Sequence, residues 1–141
     1  MKKTFLVLVM VLFIAGKSSG KIYSWKGGLH VATAPLIAGS GIYSSISTLK
    51  NTDNRFSRAA AITDLAVLGL QAGGGLVILI SNDNLPPVIR TIHRIIGMGV
   101  IASGVWLSIA NSVDDRVPPE ARYAAYGHSA LATAPLLLFS F

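Results

Sequence analysis

The chain has 141 residues, 52% of them hydrophobic and 13% charged, with a mean hydropathy of +0.59; the charged share is about half that of an ordinary soluble domain and points to one membrane-embedded domain with short loops. The net charge of +6 comes from twelve Lys and Arg scattered at segment ends, where headgroups and topology want them; without a basic stripe or a nucleic-acid motif, a nucleic-acid partner is excluded. The lack of cysteine excludes disulfides, thiolate metal sites, iron–sulfur clusters and thioether-attached haem, so a metal or cofactor would need His, carboxylates or backbone.

Residues 1–20 read as a leader. Lys2 and Lys3 precede an apolar core, Phe5 to Ala15, that is too short to span comfortably. Ser18 and Gly20 stand at positions −3 and −1 of a signal-peptidase site before Lys21. The segment is a signal peptide or a short N-terminal anchor, and either form puts the next residues outside the cytoplasm. A four-helix transmembrane domain, 21–141, follows. Its first span covers about 25–49, with Pro35 as a local kink. The turn KNTDNRFSR leads to a second span, about 57–80. SNDNLPP leads to a third, about 87–111, with Pro87 in its first turn. SVDDRVPPEAR leads to a fourth, about 120–141. Apolar runs of this length without period-two alternation exclude strands. Short connections imply an all-α, antiparallel up-down bundle. The basic first turn belongs inside by the positive-inside rule, although Arg90 and Arg94 then lie on the outer side. The expected location is a bacterial cytoplasmic (inner) membrane, with the mature N-terminus outside. ATAPL occurs at 32–36 and again at 132–136, at different distances from His30 and His128, and reads as coincidence.

All three histidines fall inside expected spans, where an ionisable side chain is costly and needs a partner. At 1.5 Å per residue, His30 and His93 both lie roughly 27–28 Å above the inner end, on helices that face one another across the bundle. His128 lies only about 12 Å up and cannot share their ligand. Two level imidazoles on facing helices meet the geometric requirement for axial haem ligation. Gly97, one turn beyond His93, gives room for a flat ring, with Gly73 to Gly75 at a similar depth. Arg90, one turn outward from His93, is placed for a propionate, and Lys26 could assist. Against this stands helix–helix packing, the commoner reason for glycine in membrane helices.

The segments GLHVATAPL, RTIHRIIGMG and YGHSALATAPL resemble the histidine-bearing helices of small four-helix membrane cytochromes b, the cytochrome b561-like group. The resemblance covers about residues 25–141. It implies a membrane electron-transfer protein that holds b-type haem by two histidines and exchanges electrons with a quinol or a redox partner. Its enzymatic reach would be quinol or ferric reductase-type activity at most. By matching positions His30 and His93 would be the axial ligands, with His128 a weaker candidate. The second helix has no histidine, so the two-haem pattern is incomplete and one haem is expected.

Asp64 is the one acid inside a span, at a depth similar to His128 on the opposite diagonal. The two can pair, forming either a proton or quinone site below the haem or a hydrogen bond that locks the bundle. Gln71 reads as an interhelical hydrogen bond, and Asp114, Asp115 and Glu120 as solvated loop acids. The alternative to a cytochrome is a cofactor-free small membrane subunit that scaffolds a larger complex. A transporter would rest on Asp64, Gln71 and His128 alone.

Overall fold

The computed structural model describes residues 25–81 and 85–139, without the side chains of 25–31, 79 and 135–139. The leader and the side chain of His30 lie outside these described residues. The described chain is four α-helices: α1 (Trp25–Asn51), α2 (Arg55–Ile80), α3 (Pro87–Ser112) and α4 (Pro119–Phe139). Each boundary follows from local chemistry. Helix α2 starts two residues earlier than expected because Asn54 Oδ1 accepts the Phe56 N–H at 2.9 Å, a capping bond that satisfies one otherwise free donor. Pro87 and Pro119 open α3 and α4, where proline's missing N–H costs nothing. Helix α1 continues through Pro35 to Asn51.

Two arginines close the turns at one end. Arg58 donates to the Leu49 and Thr52 carbonyls at 2.8 and 3.2 Å. Arg122 donates to the Val117 and Asp114 carbonyls, both at 3.0 Å. Arg58 satisfies the Leu49 carbonyl in the last turn of α1, and Arg122 braces the loop before α4, where the Asp114 carbonyl also accepts from the Val117 N–H.

Each helix packs on its neighbours in sequence, α4 packs back on α1, and the diagonal pairs barely meet. This is the expected up-down four-helix bundle. Its polarity is inverted relative to a soluble core. Buried positions include Ser44, Ser45, Thr48, Ser57, Asp64, Ser103, Asn111 and His128, beside small residues such as Ala60, Ala61, Ala121 and Ala125. Large apolar side chains point outward: Leu70 is 62% exposed, Ile80 70%, Ile95 65%. Small residues let the helices approach closely, and buried hydroxyls link them. Helix α2 over Arg55–Ile78 and helix α3 over Pro87–Ser112 are long and apolar enough to cross a membrane.

Side-chain bonds fix which levels meet. Ser45 on α1 and Ser103 on α3 both donate to Asp64. Nearer the closed end Thr48 meets Asn111, and beyond it Thr52 meets Asp114. Positions 45, 48 and 52 thus advance alongside 103, 111 and 114, and α1 and α3 run parallel.

The two hairpins also repeat one pattern. His30, Ser40, Gly41 and Thr48 recur 63 residues later as His93, Ser103, Gly104 and Asn111. In α2 and α4 the recurrence is 64: Arg58 with Arg122, Ala60 and Ala61 with Ala124 and Ala125, Asp64 with His128. The second hairpin thus repeats several residue spacings of the first. The ATAPL echo, read as coincidence, does not follow either spacing: its copies at 32–36 and 132–136 are 100 residues apart.

Candidate functional site

Two histidine centres lie along the bundle, at different levels. The first is His128 with Asp64, both with no exposed surface. His128 Nδ1 is 2.8 Å from the Ile37 carbonyl. A carbonyl only accepts, so Nδ1 carries a proton. Nε2 is 3.2 Å from Asp64 Oδ1, and one proton lies between them. Either an imidazolium donates to a carboxylate or a carboxylic acid donates to a neutral ring, and the pair is neutral both ways. Ser103 Oγ donates to Oδ1 at 2.7 Å and Ser45 Oγ to Oδ2 at 3.1 Å. All four helices therefore meet at one carboxyl–imidazole pair.

Glycines on α1 and α3 make this possible. A Cβ on Gly41 would stand 2.9 Å from His128 Nδ1 and Cε1, and one on Gly104 would stand 2.7 Å from its Cδ2. The imidazole is clamped between two helix backbones, closer than any side-chain carbon permits. Both ring nitrogens are engaged and the ring is enclosed. In this arrangement His128, the weaker ligand candidate, offers no nitrogen to a metal, and the pair presents no surface to a quinone.

The second centre is His93 with Gln71. Gln71 Nε2 lies 3.1 Å from His93 Nε2. An amide nitrogen only donates, so His93 Nε2 accepts and holds a lone pair. The other side of the ring lies on α2: a Cβ on Gly74 would be 3.2 Å from His93 Nδ1 and one on Gly75 3.5 Å from Cε1. A Cβ on Gly97 would be 3.4 Å from Gln71 Nε2. Among the described residues, Gln71 Oε1 is the one buried side-chain oxygen without a hydrogen-bond partner. Comparison with models of known protein families, with curated proteins and with solved structures gives no match to this chain.

His30 occupies the first turns of α1. The Thr48–Asn111 bond, 3.0 Å, fixes its level. From that rung both helices run eighteen residues to a histidine, 48 to 30 and 111 to 93, or roughly 27 Å. The two histidine backbones thus share a level on parallel helices. Arg90 is exposed, and with Arg94 it lines a shallow depression at the start of α3, together with Leu85, Pro87 and Thr91.

A third cluster, at the closed end, was not expected. Asp114, expected as a solvated loop acid, is 4% exposed. It accepts from Thr52 Oγ1 at 2.6 Å and Ser57 Oγ at 2.9 Å through Oδ2, and from the Arg116 N–H at 3.2 Å through Oδ1. The Thr52 hydroxyl, acting against the cost of burial, lowers the Asp114 carboxyl below its ordinary value; Ser57, the Arg116 N–H and the Arg116 charge add to this. One turn further in, Asn111 Nδ2 donates to Ser44 Oγ at 3.1 Å, and Ser44 Oγ donates to the Ala121 carbonyl at 2.8 Å. These groups are paired among themselves and knit the hairpins together. Among the described residues no three His, Cys, Asp or Glu side chains gather to hold a metal ion. Sequence reasoning missed Ser45, Ser103, Thr48 and Asn111 because hydroxyls and amides are ordinary in membrane helices. Their one usable signal was the repeat.

Proposed function

We propose that the chain is a four-span membrane protein that holds one b-type haem between His30 and His93 and passes electrons. The observation that carries this proposal is the shared level of those two histidines, at equivalent positions of two parallel helices, 63 residues apart. As packed, the His93 ring fills the space beside Gly74 and Gly75 and Gln71 takes its Nε2, so a flat cofactor would have to displace these contacts. His93 Nε2 bears a lone pair, as a metal ligand must, while Gly74 and Gly75 border the Nδ1 and Cε1 side of its ring and Gly97 borders Gln71. Gln71 Oε1 is, among the described residues, a buried oxygen without a hydrogen-bond partner. The outward-facing Leu and Ile side chains suit lipid on all sides. Arg90 would meet a propionate at the outer surface, with the N-terminal ends of α1 and α3 outside the cytoplasm. The haem, when bound, supplies a one-electron couple. The chain's residues orient it, exclude water and set the distance to a quinol or a redox partner.

The Asp64–His128 pair, at a lower level, would lock the bundle beneath the haem. The test is the reduced-minus-oxidised optical spectrum of protein expressed with ample haem. A b-type α band is expected. His30→Ala and His93→Ala should each abolish it, while a folded His128 variant keeps it. Colourless, folded wild-type protein would rule the proposal out, and its co-purification with a membrane complex would favour the scaffold role.

A further inference from the structure

Helix α1 carries a groove on its outward face, about 440 Å³ in volume. The groove runs between two adjacent rows of side chains spaced four residues apart. Ile42, Ile46 and Lys50 form one side, and Gly39, Tyr43 and Ser47 the other. Ile42, Tyr43 and Ile46 are exposed, and a carbon added to Gly39 would meet nothing within 4 Å. Every described residue that lines the groove belongs to α1, so no neighbouring helix fills it. From Gly39 to Asn51, in the last turn, it is roughly 18 Å long, close to the ~15 Å of hydrocarbon in one leaflet. Its charged end is Lys50, also in that last turn. Among the described residues no carboxylate pairs with Lys50, not even Asp53 in the turn that follows. The Asn51 amide is committed to the Ser47 carbonyl at 2.8 Å.

We propose that this groove holds one anionic phospholipid, with an acyl chain along Ile42 and Ile46 over Gly39 and the headgroup phosphate on Lys50. The inference rests on the membrane-spanning part of the proposed function and not on haem. Charge selects the occupant. A second copy packed α1 on α1 in parallel would set two Lys50 ammonium groups against each other, whereas a headgroup phosphate neutralises one. The other hairpin supplies an internal comparison. At the places 63 residues on from Ile42 and Ile46, α3 keeps exposed branched residues, Val105 and Ile109. It has Ala102 in place of Gly39, however, and Val113 in place of Lys50. A helix C-terminus favours a lysine, yet α3 is capped by Val113, so the helix end alone does not demand one. The glycine floor and the cation occur together on α1, and the lipid site is confined to that helix.

The full chain with methyl-labelled isoleucine, embedded in phosphatidylcholine bicelles, reads the groove by nuclear magnetic resonance. Adding phosphatidylglycerol should shift the Ile42 and Ile46 methyl signals along a saturable curve. Ile62 on α2 and Ile109 on α3, exposed elsewhere on the bundle, should stay nearly unchanged. Lys50→Gln should weaken this binding roughly fivefold, the fold-change that corresponds to about 1 kcal/mol for one lysine at an anionic surface. Gly39→Leu has open space for its side chain, occupies part of the groove and should weaken binding by a similar factor. A shift that does not saturate, is shared by Ile109 or is unmoved by Lys50→Gln is ordinary lipid solvation and overturns the site. An equal response to inorganic phosphate overturns it in favour of a plain anion site. Shifts that track protein concentration, with Ser47→Cys crosslinking two copies, overturn it in favour of self-association. Each of these results leaves the membrane reading standing. Protein that stays soluble without detergent and never enters bilayers overturns both.

Discussion

Replacing Asp64 tests the claim that one shared proton holds the bundle together. Asp64→Ala leaves His128 Nε2 facing a void inside a ring site with no exposed surface. It also strips Ser45 of its acceptor, although Ser103 can fall back on the Val100 carbonyl, 3.2 Å away. Breaking a buried pair by removing one partner costs about 3–5 kcal/mol. Asp64→Asn behaves differently. The Nδ1 proton of His128 stays on the Ile37 carbonyl, so a neutral ring presents a lone pair at Nε2. An Asn amide N–H can donate to it, and the Asn oxygen can accept from a serine. The expected loss is about 1 kcal/mol, one hydrogen bond's worth. Equilibrium unfolding in mixed micelles, followed by far-UV circular dichroism, measures both. The reasoning is refuted if Asp64→Ala falls within 1 kcal/mol of wild type, or if Asp64→Asn is as damaging as Asp64→Ala.

The glycine clamp gives a second prediction. Gly41→Ala and Gly104→Ala should each cost about 1–3 kcal/mol by overpacking, because the ring they strike is pinned at both nitrogens. Gly39→Ala and Gly69→Ala have open space around the new carbon and should be neutral or stabilising, by up to about 1 kcal/mol, in the same unfolding assay. Asp114 gives a pH dependence. Its folded-state pKa lies below the ordinary 3.8, so the folded chain binds fewer protons there than the unfolded chain. Its contribution is full above that value and is lost as pH falls from about 4 through the folded value. The stability gap between wild type and Asp114→Asn should therefore narrow as pH falls from 5 to 2. Thr52→Val should also narrow it, since the Thr52 hydroxyl is the leading cause. Finally, Arg58→Met should destabilise by about 1 kcal/mol or more through two exposed carbonyls, with earlier amide exchange at residues 49–55.

Much of the architecture was legible because it depends on long-range composition. Four apolar runs separated by polar turns specify four helices, and short turns specify their order. The pairing of Asp64 with His128 was also within reach, because depth can be counted along a helix of known rise. The sequence was silent on rotation. A helix of 26 residues presents seven turns of candidates to three neighbours, and nothing in RTIHRIIGMG says that His93 turns towards Gln71 of α2. Nor did spacing reveal why the glycines matter. Gly97 drew attention as room for a cofactor, whereas Gly41 and Gly104, which touch His128, looked ordinary. The recurrence of His-x9-Ser-Gly would have flagged both. It was obscured by the more conspicuous ATAPL, whose copies fall on non-equivalent helices. Asp114 was misjudged for a different reason: a loop acid is solvated unless two hairpins happen to bring hydroxyls to it.

The arginine-closed turns carry one more implication. Arg58 and Arg122 tie down the same end of the molecule, and the cross-helix hydroxyl bonds lie at that end or near the middle. The bundle is thus riveted at its base, and towards the start of α3 the Gln71–His93 bond adds a tie between α2 and α3. Amide exchange should therefore be slowest at this base, where the hydroxyl bonds join the two hairpins.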